Sequence, residues 1–265
     1  MQQSRQARNA TSNAIELYAR PSAEIDARVA SALRLLEEAA EQHEGNAVLT
    51  TSLGAEDVVL MDLIGRHELA IRWLTLDTGQ LHAETLALIP RLEARYGRAV
   101  IRVEPLQQDV VHFVARHGEF AMRDSVELRK ACCAIRKVEP LERALGTCTA
   151  WVTGLRREQS GERAEVPFRS IGSIDGSAGG RTKYSPLADW SWGDVWHYID
   201  SYGVLYNPLH DEFFPSIGCE PCTRAVALAE DFRAGRWWWE TQHGKECGLH
   251  TRRTGAFEGN AKGRA

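Results

Sequence analysis

The run Asn46-Ala47-Val48-Leu49-Thr50-Thr51-Ser52-Leu53-Gly54-Ala55-Glu56-Asp57 reads as a buried strand, a Gly-containing turn and the entry to a helix. Ala47, Val48 and Leu49 supply the apolar centre of the strand, and the helix is expected from about Glu56 to Ile64. The alternation continues downstream. Leu69–Leu76, Ala99–Val103 and Ala150–Leu155 read as further strands. His82–Tyr96, Leu106–Val114 and Glu127–Leu145 read as helices, the last with Pro140 as a break or kink. Upstream, Ile25, Val29, Leu33, Leu36 and Ala39-Ala40 recur at helical spacing across residues 23–43. Short strands alternating with longer helices predict an α/β fold, a mostly parallel sheet flanked by helices and joined by right-handed crossovers.

The pattern changes after Leu155. Residues 156–180 are polar and Gly-rich and read as a loop over one face. Ser191–Tyr202 reads as a helix with Ser191 or Asp189 as its cap, Asn207-Pro208 as a turn, and Thr223–Phe232 as a short helix. Beyond Gly235 the periodicity is weak, and a mobile tail is expected. The organisation so read is an N-terminal segment (1–20), one α/β nucleotide-binding and cluster-binding domain (21–234), and a C-terminal tail (235–265).

Among 265 residues, 43% are hydrophobic and 26% charged, with a formal net charge of -4. That balance gives no bulk attraction to nucleic acid or to an anionic membrane, though a local basic site for a small anion is compatible with it. The apolar stretches are short and interrupted, so no membrane span is expected. Met1-Gln2-Gln3-Ser4-Arg5 lacks the apolar core of a signal peptide, and a reducing cytoplasm is the expected setting. There, grouped cysteines more often hold metal or perform chemistry than form structural disulfides.

Two strand ends carry polar turns. A Ser52-x-Gly54 turn entering a helix presents backbone N–H groups to an oxyanion; an ordinary βα turn is the plain alternative. It is neither a dinucleotide-binding nor a Walker-type glycine loop. Leu76-Asp77-Thr78-Gly79 closes the next strand, where Asp77 is placed to meet a base or ribose, or only to cap a helix.

Four of the six cysteines form two clips, Cys132-Cys133 and Cys219-Glu220-Pro221-Cys222. Together they offer four thiolates. Zinc or an iron–sulfur cluster would accept such a set, and buried apolar packing without metal is the third reading. The adjacent pair suits a bulky cluster better than a single ion, because neighbouring side chains diverge around the backbone. Lys137 lies one helical turn beyond Cys133, placed to balance thiolate charge and meet an anion. Cys148 reads as core filling. Cys247, in Glu246-Cys247-Gly248-Leu249-His250 with Lys245, Arg252 and Arg253 nearby, reads as a reactive thiol or as an inert surface cysteine. Arg233 and Arg236 precede Trp237-Trp238-Trp239, and Arg156, Arg157 and Arg163 add positive charge from the polar loop. These arginines suit sulfate or phosphate oxygens.

Ser52–Asp57, Leu76–Gly79, Cys132-Cys133 with Arg136-Lys137, Gly154–Arg157, Cys219–Cys222, Arg233–Trp239 and Glu246–His250 run in one order through residues 45–250. In that combination the chain resembles the assimilatory adenylylsulfate reductases, the iron–sulfur branch of the APS/PAPS reductase family. The resemblance implies an adenine nucleotide α-hydrolase-like fold. It implies that Cys132, Cys133, Cys219 and Cys222 ligate one [4Fe-4S] cluster and that Cys247 is the nucleophile. Lys137, Arg163, Arg233, Arg236 and His250 would contact substrate, and Ser52 and Gly54 would lie in a modified phosphate loop. The related ATP pyrophosphatases carry a second glycine where this chain has Leu53, which fits a site that no longer releases pyrophosphate.

The implied reaction is reduction of adenylylsulfate to sulfite and AMP through an S-sulfonate on Cys247, with reduced thioredoxin or a related dithiol protein as partner. Reduction of 3'-phosphoadenylylsulfate and ATP-dependent adenylylation are the competing activities. A non-enzymatic metal-dependent binding protein is the competing class. Homo-oligomerisation stays open.

Overall fold

A computed structural model describes residues 13–172 and 180–240. Among these residues, six strands form one sheet in the order β3-β2-β1-β4-β6-β5. They are β1 Ala47–Thr51, β2 Ile71–Leu76, β3 Val100–Val103, β4 Ala150–Val152, β5 Arg169–Gly172 and β6 Arg181–Tyr184. All neighbours pair in parallel except β5 with β6, an antiparallel hairpin at one edge. The expected mostly parallel sheet is therefore present. The expected loop over 156–180 contains β5, and β6 follows it. This hairpin has too little apolar content to stand out, and it exists because β6 pairs with buried β4.

Side-chain alternation along the strands separates two cores. Ala47 and Leu49 of β1, with Ala150 and Val152 of β4, face one cluster. Into it pack α2 (Ile25–Gln42), α3 (Ala55–Arg66), α4 (Ala83–Tyr96) and α8 (Trp192–Tyr202). Val48 and Trp151 point the other way, onto Leu141 and Leu145 of α7 (Glu139–Leu145). Helix α3 is buried from Ala55 through Ile64. A helix enclosed on every side is apolar on every side, which is why Val58, Val59, Leu60, Met61, Leu63 and Ile64 follow one another so closely. Helix α1 (Ala14–Tyr18) packs on α8, and its Ala14 N–H donates to Asp211 at 2.8 Å. Ser191 caps α8 through a reciprocal box: its hydroxyl accepts from Asp194 N–H, and the Asp194 carboxylate accepts from Ser191 N–H. Helix α5 (Gln107–His117) precedes the cysteine-bearing elements.

The segment expected as one helix over 127–145 is α6 (Val126–Cys133), a π-helical turn (Ala134–Val138) and α7. The wide turn sits just before Pro140. There an uninterrupted α-helix would lack an N–H and press the proline ring onto the carbonyl four residues back. The expected helix over 223–232 is absent. Arg224 N–H donates to Gly235 C=O and Val226 N–H to Phe213 C=O, so long-range pairing takes the amides a helix would need. Beyond Gly235, where the sequence pattern weakens, residues up to Glu240 pack onto the body. Thr223 and Arg236 form a β-bridge, and Trp237 is 1% exposed.

Candidate active site

A cavity of about 210 Å³ opens beyond the carboxyl ends of β1, β2 and β4. Chain order reverses across β1, with β2 and β3 to one side and β4 to the other. Ligands of open parallel sheets bind at such a switch point. Ser52 and Gly54, from the turn after β1, line one side of the cavity; Thr78 follows β2 and Gly154 follows β4. Lys137, Arg163, Arg233, Arg236 and Cys219 also line it, with the Glu56 and Asp57 carboxylates on the side of the turn. Seven candidate site residues thus meet in one hollow: Ser52, Gly54, Lys137, Arg163, Cys219, Arg233 and Arg236.

The turn after β1 holds an unusual backbone. Leu53 has φ of 61° and is fully buried. This is the left-handed conformation for which glycine is preferred, so the chain keeps a glycine-type bend with a leucine in it. Ser52 donates from both its N–H and its hydroxyl to the Asp57 carboxylate, at 2.5 and 2.8 Å. Burial pushes the Asp57 carboxyl up to about 6, against those two hydrogen bonds. A Cβ on Gly154 would lie 2.5 Å from Asp57 Oδ1, so β4 leaves no room there for a side chain. Gly54 caps α3 without a side-chain hydrogen bond, leaving the first amides of the helix oriented as an anion cradle. Nearby Glu56 accepts from Arg156 Nε and Gln159 Nε2, each at 2.9 Å.

Asp77 lies between the lining residues Leu76 and Thr78 but does not line the cavity. Its carboxylate accepts from Arg102 and from Gly79 N–H. The neighbour Thr78 has the more direct placement. Its hydroxyl lies 3.3 Å from Cys219 Sγ, and its carbonyl accepts from Arg136 Nη1 at 2.6 Å. The loop after β2 also meets the second cysteine clip, through a Leu81–Cys219 bridge and Glu220 N–H donating to Gln80 C=O. One turn therefore fastens both clips, the first through Arg136 and the second through its backbone.

Cys132, Cys133, Cys219 and Cys222 are 6–9% exposed and share one apolar compartment with Phe113, Met122 and Trp237. None is in a disulfide. Burial favours a raised Cys219 thiol, but Lys137, the Thr78 hydroxyl and Arg236 outweigh it and hold the thiol below its usual value. Burial, then the neighbouring Cys219, pushes Cys222 up to about 11, and burial also raises Cys132. Among the described residues, no three Cys, His, Asp or Glu side chains form a closed ligand shell. The donor set nonetheless suits a thiolate-bound metal centre: four sulfurs, apolar walls and adjacent cations that offset thiolate charge. Cys148, as expected, belongs to the core under α7.

Arg236 is 6% exposed, and its Nε has no hydrogen-bond partner among the described residues. It stacks over the Trp237 ring at 4.8 Å and leans on Gly218, where an added Cβ would lie 2.3 Å from Nη2. Thr78 lay inside the Leu76–Gly79 turn and Gly218 next to the second cysteine clip, and nothing in their own residue type marked either one. Cys247 and His250 lie outside the described residues.

Residues 46–225 match the phosphoadenosine phosphosulfate reductase domain. The chain belongs to that family. It is 50% identical to the adenosine 5'-phosphosulfate reductase of Allochromatium vinosum, over 86% of this chain and 87% of that one. It is 53% identical to the protein of the same description from Neisseria meningitidis serogroup A, over 77% of this chain and 83% of that one. Among solved structures, phosphoadenylyl-sulfate reductase from Candida auris superposes with a TM-score of 0.59 at 26% identity, covering 78% of this chain and 98% of the other. FMN adenylyltransferase from Candida glabrata shares the fold alone, with a TM-score of 0.52 at 13% identity, covering 82% of this chain and 74% of the other. The family membership expected from the motifs is thus established.

Proposed function

We propose that this reductase-family chain is a thioredoxin-dependent adenylylsulfate reductase. The observation that carries the reading is the cavity at the switch point, bounded on one side by the Ser52–Gly54 turn and on the other by the cations Lys137, Arg233 and Arg236 beside Cys219. The names borne by relatives at about half identity support it.

The Ser52–Gly54 turn receives the nucleotide phosphate, while Lys137, Arg163, Arg233 and Arg236 neutralise sulfate and phosphate oxygens as charge moves toward the leaving group. Asp77 acts from behind the turn, through its pair with Arg102. Cys247 thiolate attacks the sulfate sulfur. A sulfur–sulfur bond forms, the sulfur–oxygen bond to phosphate breaks, and AMP leaves with the electron pair. His250 accompanies Cys247 on the same segment as a substrate contact. A thiolate of the partner then attacks Cys247 Sγ. Sulfite departs with the bonding pair, and a mixed disulfide remains. The partner's second thiol resolves it, so the partner is oxidised by two electrons and Cys247 returns as thiolate.

Cys132, Cys133, Cys219 and Cys222 would hold a [4Fe-4S] cluster. When bound, it would supply a fixed charge centre that ties α6 to the 219–222 loop and positions Lys137. We read 21–234 as the single nucleotide- and cluster-binding domain, 1–20 as an N-terminal segment, and 235–265 as the segment presenting Cys247. The test is sulfite and AMP release from adenylylsulfate by anaerobic protein with reduced thioredoxin, together with Cys247→Ser. Wild type should turn over, and the variant should keep its visible cluster absorption but form no S-sulfonate. A stable sulfonate adduct on the variant would remove Cys247 from its role, and preferential turnover of the 3'-phosphorylated nucleotide would reassign the substrate.

A further inference from the structure

We propose that an aromatic face built by exposed Phe120 and Trp238 and half-buried Trp239 around Arg123 is the docking surface for the reduced dithiol protein that regenerates Cys247; the inference rests on the reductase reading above. Phe120 is 52% exposed and Trp238 36%. The Arg123 guanidinium carbon stands 5.5 Å from the Phe120 ring centroid, 5.4 Å from that of Trp238 and 5.5 Å from that of Trp239. One cation thus holds three rings in place, and Trp238 and Trp239 meet edge to face at 4.8 Å. Arg123 is itself anchored, donating from Nη2 to Pro221 C=O at 3.0 Å inside the second cysteine clip. Large rings left in water on a fixed base suit binding, because little side-chain entropy remains to be lost on contact. Tryptophan and arginine are also the side chains that most often dominate interface energies.

The reaction restricts where the partner sits. Its sulfur has to reach bonding distance of Cys247 Sγ, and Cys247 is seven residues beyond Glu240. Seven extended residues span at most about 25 Å. Glu240 is fixed, because its carboxylate pairs with the buried Arg129. A standard interface covers about 800 Å² per partner, a disc of about 16 Å radius. A partner engaging Cys247 meets it within about 25 Å of Glu240, the last described residue, and Trp238 and Trp239 are the two residues before Glu240. Among the described residues, this face joins exposed rings to the base of the Cys247 segment.

The experiment uses full-length anaerobic protein carrying Phe120→Ser or Trp238→Ser. Four quantities are compared with wild type: S-sulfonate formed from adenylylsulfate without reductant, turnover with dithiothreitol, turnover across a thioredoxin concentration series, and solution mass. The expected result is unchanged S-sulfonate yield, unchanged dithiothreitol turnover, and a KM for thioredoxin raised about tenfold or more. Intact S-sulfonate formation also shows that a variant is folded. Unaltered thioredoxin KM in both variants overturns the proposal. Equal loss with dithiothreitol also overturns it, because the face would then seat this chain's own residues 241–265. So does a changed solution mass, which would place a second copy there. Failure of the reductase reading looks different: wild type itself would form no S-sulfonate.

Discussion

Leu53 shows how one side chain can hold an unfavourable backbone in place. Its left-handed φ costs about 1–2 kcal/mol, whereas truncating a buried leucine costs about 2–5 kcal/mol, so burial wins. Leu53→Gly should therefore destabilise the chain by about 2 kcal/mol despite relieving the backbone, as measured by urea unfolding midpoints. A more stable variant would mean that strain, not burial, dominates at this turn. His210 offers a residue-level prediction of the opposite kind. It is buried, its Nδ1 lies 2.8 Å from Phe214 C=O, and burial drives its imidazole down to about 4. Its folded value thus lies below the unfolded value of about 6.5, and the unfolded chain binds the proton first. The stability it contributes is present above the unfolded value and lost as pH falls toward the folded one. Between pH 7 and pH 5 the loss should be about 2 kcal/mol. His210→Phe should flatten that part of the stability profile, and an unchanged slope would assign it to other groups.

At the scale of elements, the π turn and the 219–222 loop converge on the end of β2. Arg136 of the turn reaches Thr78 C=O, and Cys219 pairs with Leu81. Gly218 belongs to this junction because Arg236 occupies the space where a side chain would go. Gly218→Ala should push the guanidinium off its seat on Trp237. A displaced charge-assisted hydrogen bond is worth about 1.5–3 kcal/mol, so the affinity for adenylylsulfate should fall about tenfold or more. Iron content should stay at the wild-type value, since no sulfur moves. Binding titration and iron analysis on one sample check both halves, and joint loss would mean that Gly218 serves the cysteine loop instead.

At the scale of the molecule, three apolar compartments among the described residues divide the work. Two lie on the faces of the sheet, and the third encloses the four cysteines. The third is small and brings together residues from Phe113 to Trp237, so a bound metal centre would contribute much of its cohesion. Removing iron by chelation should cost a few kcal/mol. At about 2–4 °C per kcal/mol for a chain of this size, the thermal midpoint should fall by about 10 °C. Limited proteolysis should then cut first within residues 213–240. An unchanged midpoint would reduce the four sulfurs to ordinary packing.

The parallel α/β architecture, the Ser52–Gly54 turn and the two cysteine clips were legible in the sequence because each is local. Hydrophobic period, turn chemistry and Cys spacing are properties of neighbouring residues, and they carry through to the folded chain. What the sequence determined on its own was therefore the elements of the parallel core, the order of the motifs and the family. Tertiary structure decided what depends on partners far along the chain: the β5–β6 hairpin, the unwinding of residues 223–232, the seating of Trp237, and the placement of Thr78 beside Cys219. It also turned the Asp77 carboxylate toward Arg102 instead of the cavity. The reason is the same in each case. A backbone amide, a carboxylate or a ring takes the partner that best repays its burial, and that partner is chosen by how distant segments pack.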